Sequence, residues 1–133
     1  MQIKETKVWN DFEFIWLIIK ERLDPWSIFK NSKVYALYDR DKLVSFCTVK
    51  DWKTSVELGT VVTKKVYRGK GYAGKVIKYF LKKYPASYVT CLADLESFYR
   101  KFGYKKVERA PYPIYQRIKF FNLFGKKYII MKR

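Results

Sequence analysis

The strongest constraint on the fold is a change of hydrophobic period between Thr63 and Lys75. Before it, residues 55–63 form a run rich in Val and Thr, the composition of a β-strand. After it, Ala73, Val76, Ile77, Phe80, Leu81 and Tyr84 recur at i, i+3, i+4, i+7, i+8 and i+11, which is one face of a helix. Lys75, Lys78 and Lys82 fall on the opposite face, and Pro85 marks the helix end. A short basic turn, Arg68-Gly69-Lys70-Gly71-Tyr72, joins strand to helix. A helix entered this way presents unpaired N–H groups and the positive end of its dipole. A phosphate suits that geometry. The glycines let the backbone approach an anion closely, and Arg68 and Lys70 add countercharge. Taken alone, a Gly-x-Gly pair describes a bare strand-to-helix turn equally well. Two nucleotide motifs are excluded. The chain has no G-x-x-x-x-G-K-[ST], and no G-x-G-x-x-G with a downstream acid in a parallel βαβ unit.

Around this junction the pattern reads as β-α-(α)-β-β-β-α-β-α-β-β. Residues 2–8 suit a first strand, and Asn10 is a candidate N-cap for a helix running to about Leu23. A short helical stretch follows Pro25, around residues 26–30. Residues 34–38 and 43–49 are β-rich, with a turn at 39–42, and form a hairpin. With residues 55–63 they predict an antiparallel meander. Beyond the amphipathic helix, residues 87–92 suit a strand. Asp94 is a candidate cap for a short helix whose inner face is Leu95, Phe98, Tyr99 and Phe102, ended by Gly103. Strands are expected at 104–109 and 127–132, and residues 114–124 carry no clear pattern. The order predicts a mixed α/β, α+β-class fold: one mixed sheet with helices packed on it.

No repeat, low-complexity tract or linker divides the 133 residues, so residues 1–133 read as a single domain. The longest apolar run, residues 14–19, is too short to cross a bilayer. No signal sequence opens the chain, and a cytoplasmic location without a membrane partner is expected. Cys47 and Cys91 each sit in a strand-like run; there is no C-x-x-C and no histidine. A metal site is not expected. Ser-His and Cys-His nucleophile schemes are ruled out, so acid–base chemistry falls to Glu, Asp, Tyr, Lys, Cys or water. The net charge of +17 favours an anionic ligand: a phosphorylated cofactor, an acidic substrate or nucleic acid.

Arg68-Gly69-Lys70-Gly71-Tyr72-Ala73 resembles the (Arg/Gln)-x-x-Gly-x-(Gly/Ala) signature of the GNAT superfamily of N-acetyltransferases. The position also agrees, after the fourth strand and opening the third helix. Downstream, Phe98-Tyr99-Arg100-Lys101-Phe102-Gly103-Tyr104 is similar to that family's Phe-Tyr-x-x-x-Gly-Phe segment. The resemblance spans residues 43–107. It implies a GNAT-like fold: a central, mostly antiparallel mixed sheet of six to seven strands, splayed at strands 4 and 5, flanked by about four helices. It implies acetyl-CoA as acyl donor and direct attack by a primary amine on the thioester. Val61, Val62 and Thr63 would pair with the pantetheine arm, and Arg68, Gly69, Lys70, Gly71, Tyr72, Ala73 and Gly74 would hold the pyrophosphate. Tyr99 matches the tyrosine that protonates the departing thiolate, although it also falls on an apolar face where a tyrosine simply packs. Glu57, eleven positions before Arg68, matches a glutamate that serves as base directly or through water. Period-2 alternation puts it on one face with Gly59 and Val61. Asp51 and Asp94 are weaker base candidates. The family's pantetheine-binding asparagine has no counterpart among Leu92, Ala93 and Asp94; Ser97 is a substitute candidate. The acceptor groove is expected between the first two helices and residues 111–124. Family members often pair, which leaves a homodimer open.

Two other readings stand beside this one. The basic charge and the interleaved Tyr112, Tyr115, Arg117, Lys119, Phe120 and Phe121 suit a nucleic-acid-binding module, but no nucleic-acid motif is present and most aromatics follow core periodicity, so it is not favoured. A GNAT-fold protein that binds coenzyme A without turnover is the third.

Overall fold

The β-rich half of the sequence folds as a meander whose central strands, residues 33–39 and 42–51, are buried on both faces. In the computed structural model, which describes residues 1–22 and 25–133, β1 (Gln2–Lys7), β2 (Lys33–Asp39), β3 (Lys42–Asp51) and β4 (Val56–Thr63) pair antiparallel in chain order. Helix α1 (Phe12–Leu17) covers one face of these strands, burying Phe14 and Ile15 against Val34, Ala36, Phe46 and Val62. Helix α3 (Tyr72–Lys83) covers the other, burying Val76, Ile77 and Phe80 against Tyr35, Leu37, Val44 and Val49. Each such side chain contributes about 1.5–3 kcal/mol.

The α3 crossover makes the next pairing parallel. β5 (Tyr88–Leu92) lies beside β4, then pairs antiparallel with β7 (Tyr128–Lys132), which carries β6 (Lys105–Val107) at its outer edge. The sheet order is β1-β2-β3-β4-β5-β7-β6. Short helices α2 (Pro25–Phe29) and α4 (Glu96–Arg100) and a longer α5 (Tyr112–Asn122) complete the described residues. The mixed sheet expected from the order of elements is therefore observed, and it is mostly antiparallel, as the resemblance implies.

Several local expectations are corrected. Asp11, not Asn10, caps α1: its Oδ1 accepts from the Glu13 N–H at 2.9 Å, while the Asn10 amide donates to Thr6 Oγ1. The first helix is short and continues as a π-helical turn, Ile18–Arg22; its expected end at Leu23 lies outside the described residues. Asp94 caps nothing, because it sits inside a 3-10 turn, Ala93–Leu95, that precedes α4. The strand expected at 104–109 shortens to Lys105–Val107. The unassigned stretch holds α5, begun by Pro at its first turn.

Pairing of β3 with β4 shifts register between Cys47 and Val49, where Gly59 and Thr60 together oppose Thr48. This is a β-bulge, and bulges bend a strand and raise its twist. It also overturns the expected shared face of Glu57, Gly59 and Val61. The extra residue flips the alternation, so Val61 packs toward the α3 side while Glu57 points to Arg117 on α5. The bulge requires glycine: a Cβ on Gly59 would lie 2.1 Å from Thr48 Oγ1, the atom that accepts the Thr60 N–H. Gly59→Ala is expected to cost about 1–3 kcal/mol. Urea denaturation measures it, and an unchanged midpoint would remove the bulge from the account of the splay.

Candidate active site

β4 and β5 pair in the sheet only at Glu57–Tyr88 and Leu58–Val89. Past those pairs each strand follows its other neighbour. Val61, Val62 and Thr63 stay with β3, and Thr90, Cys91 and Leu92 stay with β7. A V-shaped gap opens between them, and two cavities fill it.

The larger cavity, about 640 Å³, lies on the helix-start side. Val61, Val62 and Thr63 of β4 form one wall, and Arg68, Gly69, Gly71, Tyr72, Ala73 and Gly74 form its rim. Gly69 and Gly71 both have φ of +80°, which only glycine adopts without strain, and a Cβ at either would meet nothing within 4 Å. The turn thus faces open space. The first intrahelical bond runs from the Lys75 N–H to the Gly71 carbonyl, so the N–H groups of Tyr72, Ala73 and Gly74 precede it. Arg68 is anchored beside them: its Nε donates to the Thr63 carbonyl at 3.0 Å, and its Nη2 pairs with Glu21 at 3.0 Å. Lys70 and Ser97 are exposed and line neither cavity.

The smaller cavity, about 230 Å³, lies on the α5 side. Glu57 closes its floor with no exposed surface, and its two oxygens accept four hydrogen bonds. Trp52 Nε1 donates to Oε1 at 3.0 Å, Thr90 Oγ1 to Oε2 at 2.6 Å, and Arg117 Nη2 to both, at 2.9 and 2.6 Å. The Arg117 guanidinium also lies 5.7 Å from the Trp52 ring centroid, and the same indole stacks on Trp26 of α2. Trp52 therefore joins α2, α5 and the buried carboxylate. Of the expected groove walls, α5 contributes Arg117, Ile118 and Phe121, and α2 reaches the site through Trp52. Asp51 instead accepts the Lys53 N–H in a turn. Sequence reading singled out neither Trp52 nor Thr90, and gave Arg117 no role toward Glu57.

Tyr99, Leu95 and Val61 line both cavities. Tyr99 is buried, packed against Phe98 and Tyr104, so the tyrosine expected at the chemistry stands where the two spaces meet. Cys91 lines the smaller cavity. Burial, helped by the charges of Glu96 and Asp94, pushes its thiol up to about 11. Burial pushes Cys47 higher still.

Residues 30–106, more than half of the chain, match the acetyltransferase (GNAT) domain. The chain belongs to the GNAT acetyltransferase family. No curated protein sequence matches it. Among solved structures, this GNAT domain is similar to Escherichia coli ElaA, with 16% identity over 99% of this chain and 98% of that one, TM-score 0.67. An acyl-CoA N-acyltransferase from Pseudomonas aeruginosa shares 13% identity over 99% and 98%, TM-score 0.70. A GNAT family acetyltransferase from Elizabethkingia anophelis, solved with acetyl-CoA bound, shares 11% identity over 98% and 96%, TM-score 0.72. At these identities the likeness is one of fold. No group of metal-ligating side chains occurs among the described residues, and no described helix is long and apolar enough to cross a membrane.

Proposed function

We propose that this chain transfers an acetyl group from acetyl-CoA to a primary amine, with donor and acceptor entering from opposite sides of the β4–β5 gap. The observation that carries the reading is the meeting of two cavities at Tyr99. The pyrophosphate would rest on the N–H groups that open α3, with Arg68 and Lys70 as countercharge. The pantetheine arm would run along Val61, Val62 and Thr63, which the splay leaves without a strand partner on the β5 side, although the Thr63 carbonyl is taken by Arg68 Nε. That places the thioester near Tyr99 and the amine in the smaller cavity.

Three proton transfers are needed, two off the nitrogen and one onto the sulfur. The ammonium must lose a proton before its nitrogen lone pair can attack the thioester carbon. Glu57 is the base in this reading, and it acts at one remove, since its oxygens are enclosed. Thr90 Oγ1 commits its own hydrogen to Glu57 and accepts from Arg117 Nη2 at 3.2 Å, which leaves one further lone pair as acceptor toward the cavity it lines. An amine N–H bond would break toward Thr90 Oγ1, or a water beside it, as the threonine proton passes to Glu57. When the tetrahedral intermediate collapses, the C–S bond breaks, Tyr99 gives its proton to the sulfur, and the nitrogen sheds its second surplus proton to water, from which Tyr99 is reprotonated. Cys91 stays a thiol near neutral pH and forms no acyl intermediate.

Isotope-labelled acetyl-CoA with a panel of primary amines, read by mass spectrometry, tests the reading. Once an acceptor is found, Tyr99→Phe is expected to lower kcat by about 10²-fold, the usual contribution of a positioned general acid. Cys91→Ala is expected to leave kcat within about twofold, since a neutral thiol adds nothing to direct attack. A rate abolished by Cys91→Ala would replace direct transfer with a covalent route.

A further inference from the structure

Among the described residues, most exposed large apolar side chains stand on one side of the molecule. All but Met1 and Val66 stand on α1, α2, α5 or the turns beside them. Phe12 is 75% exposed, Phe29 79%, Leu123 77% and Phe124 72%. Phe12, Trp16 and Ile19 recur at helical spacing and form one ridge, and Trp9, in the turn before Asp11, joins it to α2 through its indole N–H on the Ile28 carbonyl. Phe120, Leu123 and Phe124 form a second. Both ridges lie on the sheet face away from α3 and α4. α1 packs on Phe46 and Val62 there, and Trp52 touches both α2 and α5. Monomeric soluble domains seldom leave so many large apolar groups on one face without a use for them.

The charge around the second ridge is one-sided as well, whereas the first carries Asp11, Glu13 and Glu21 among its lysines. From Arg109 to Arg133 there are seven basic residues and no Asp or Glu. Lys20 and Lys30 beside the first ridge, and Lys119, Lys126 and Lys127 beside the second, are exposed.

We propose that this face docks on an anionic lipid surface. Tryptophan, phenylalanine and leucine crowning short helices, flanked by lysines, are the side chains that settle at the boundary between headgroups and acyl chains. The lysines then meet the negative headgroups. A second copy is disfavoured because each chain carries +17. Nucleic acid would use the lysines but not the aliphatic Ile19 and Leu123, and the Phe120 and Phe124 rings already pack on each other at 5.1 Å instead of offering faces to bases. The absence of a membrane-spanning helix bears on crossing a bilayer and leaves surface contact open.

Co-sedimentation of the full chain with sucrose-loaded vesicles tests the inference. Vesicles of phosphatidylglycerol and phosphatidylcholine in equal parts are compared with pure phosphatidylcholine at about 0.1 M salt, where the Debye length is about 10 Å. Binding to the anionic vesicles is expected to be at least about tenfold stronger. The double variants Phe12→Ser/Trp16→Ser and Leu123→Ser/Phe124→Ser should each weaken it at least about tenfold. Thermal unfolding shows that each variant stays folded without recourse to acetyl-CoA, so failure here is separable from failure of the acetyl-transfer reading. A second readout needs no variant: lipids brominated in the acyl chain should quench the tryptophan emission of the unaltered protein. Absence of binding to anionic vesicles, or binding without quenching, overturns the inference. So does a dimer, seen by light scattering, that the Phe12/Trp16 variant dissolves, or binding to a DNA duplex that the same variants abolish.

Discussion

Arg117→Met is expected to lower folding stability by about 3–5 kcal/mol, the cost of leaving a buried carboxylate without its cation. Glu57 has no exposed surface, and Arg117 Nη2 supplies two of its four hydrogen bonds. Without the guanidinium, Trp52 and Thr90 remain as neutral donors, too few to replace the hydration that Glu57 gave up on burial. The charge is the cause, so Glu57→Gln in the same molecule should restore most of the loss, because an amide needs no counterion. A double-mutant cycle by urea denaturation reads this directly, and the coupling should exceed about 1 kcal/mol for groups in such contact. Glu5→Ala serves as the contrast. Its pair with Lys33 is similar in length, 3.0 Å, but both side chains are nearly half exposed, and such pairs are worth about 0–1 kcal/mol. Equal costs for Arg117→Met and Glu5→Ala would mean that Glu57 is hydrated in solution. Arg117 also ties α5 to the sheet beside Ile118, so the variant should loosen the wall of the smaller cavity.

The parts of this fold legible in the sequence are those where one period runs long enough to dominate. The α3 face repeats over three turns, and the β2–β4 meander is β-rich with a clear turn. The Arg68–Ala73 loop lies between those two signals, which is why it could be read as an anion seat. Where elements are short, local competition decides. Asn10 and Asp11 are both capping residues, and only the bond from Asn10 to Thr6 separates them. The bulge at Gly59 could not be seen as a periodicity, because one inserted residue reverses the face of everything beyond it. Helix α5 was obscured by Pro111 and Pro113, which read as breakers although proline suits a first turn. Ile114, Ile118 and Phe121 did carry a helical spacing that could have found it. The pairing of Arg117 with Glu57 joins residues 60 positions apart and has no local signal at all.

Gly71→Glu should abolish measurable acetyl-CoA binding while leaving the fold nearly intact, and those two effects have separate physical origins. At φ of +80° a non-glycine residue costs about 1–3 kcal/mol. Gly71 is also the N-cap of α3, where a carboxylate gains about 0.3–1 kcal/mol from the helix dipole and offsets part of that strain. No atom lies within 4 Å of the added Cβ, so nothing clashes. For a bound pyrophosphate the same change is adverse. The side chain would enter the space in which the phosphates are proposed to sit and set a negative charge against them. A weakening of about 100-fold corresponds to about 2.7 kcal/mol, well within what a like charge in a partly enclosed site produces. Gly71→Ala imposes the same strain without charge, so it should lose no more than about tenfold. Calorimetric titration with acetyl-CoA measures all three proteins. Repeating it with acetyl-pantetheine, which lacks the pyrophosphate, isolates the cause: the wild type should bind this donor weakly, and Gly71→Glu should weaken it no further. Acetyl-CoA affinity equal in wild type and Gly71→Glu would move the phosphate site away from the start of α3, and with it the direction in which the thioester is drawn toward Tyr99.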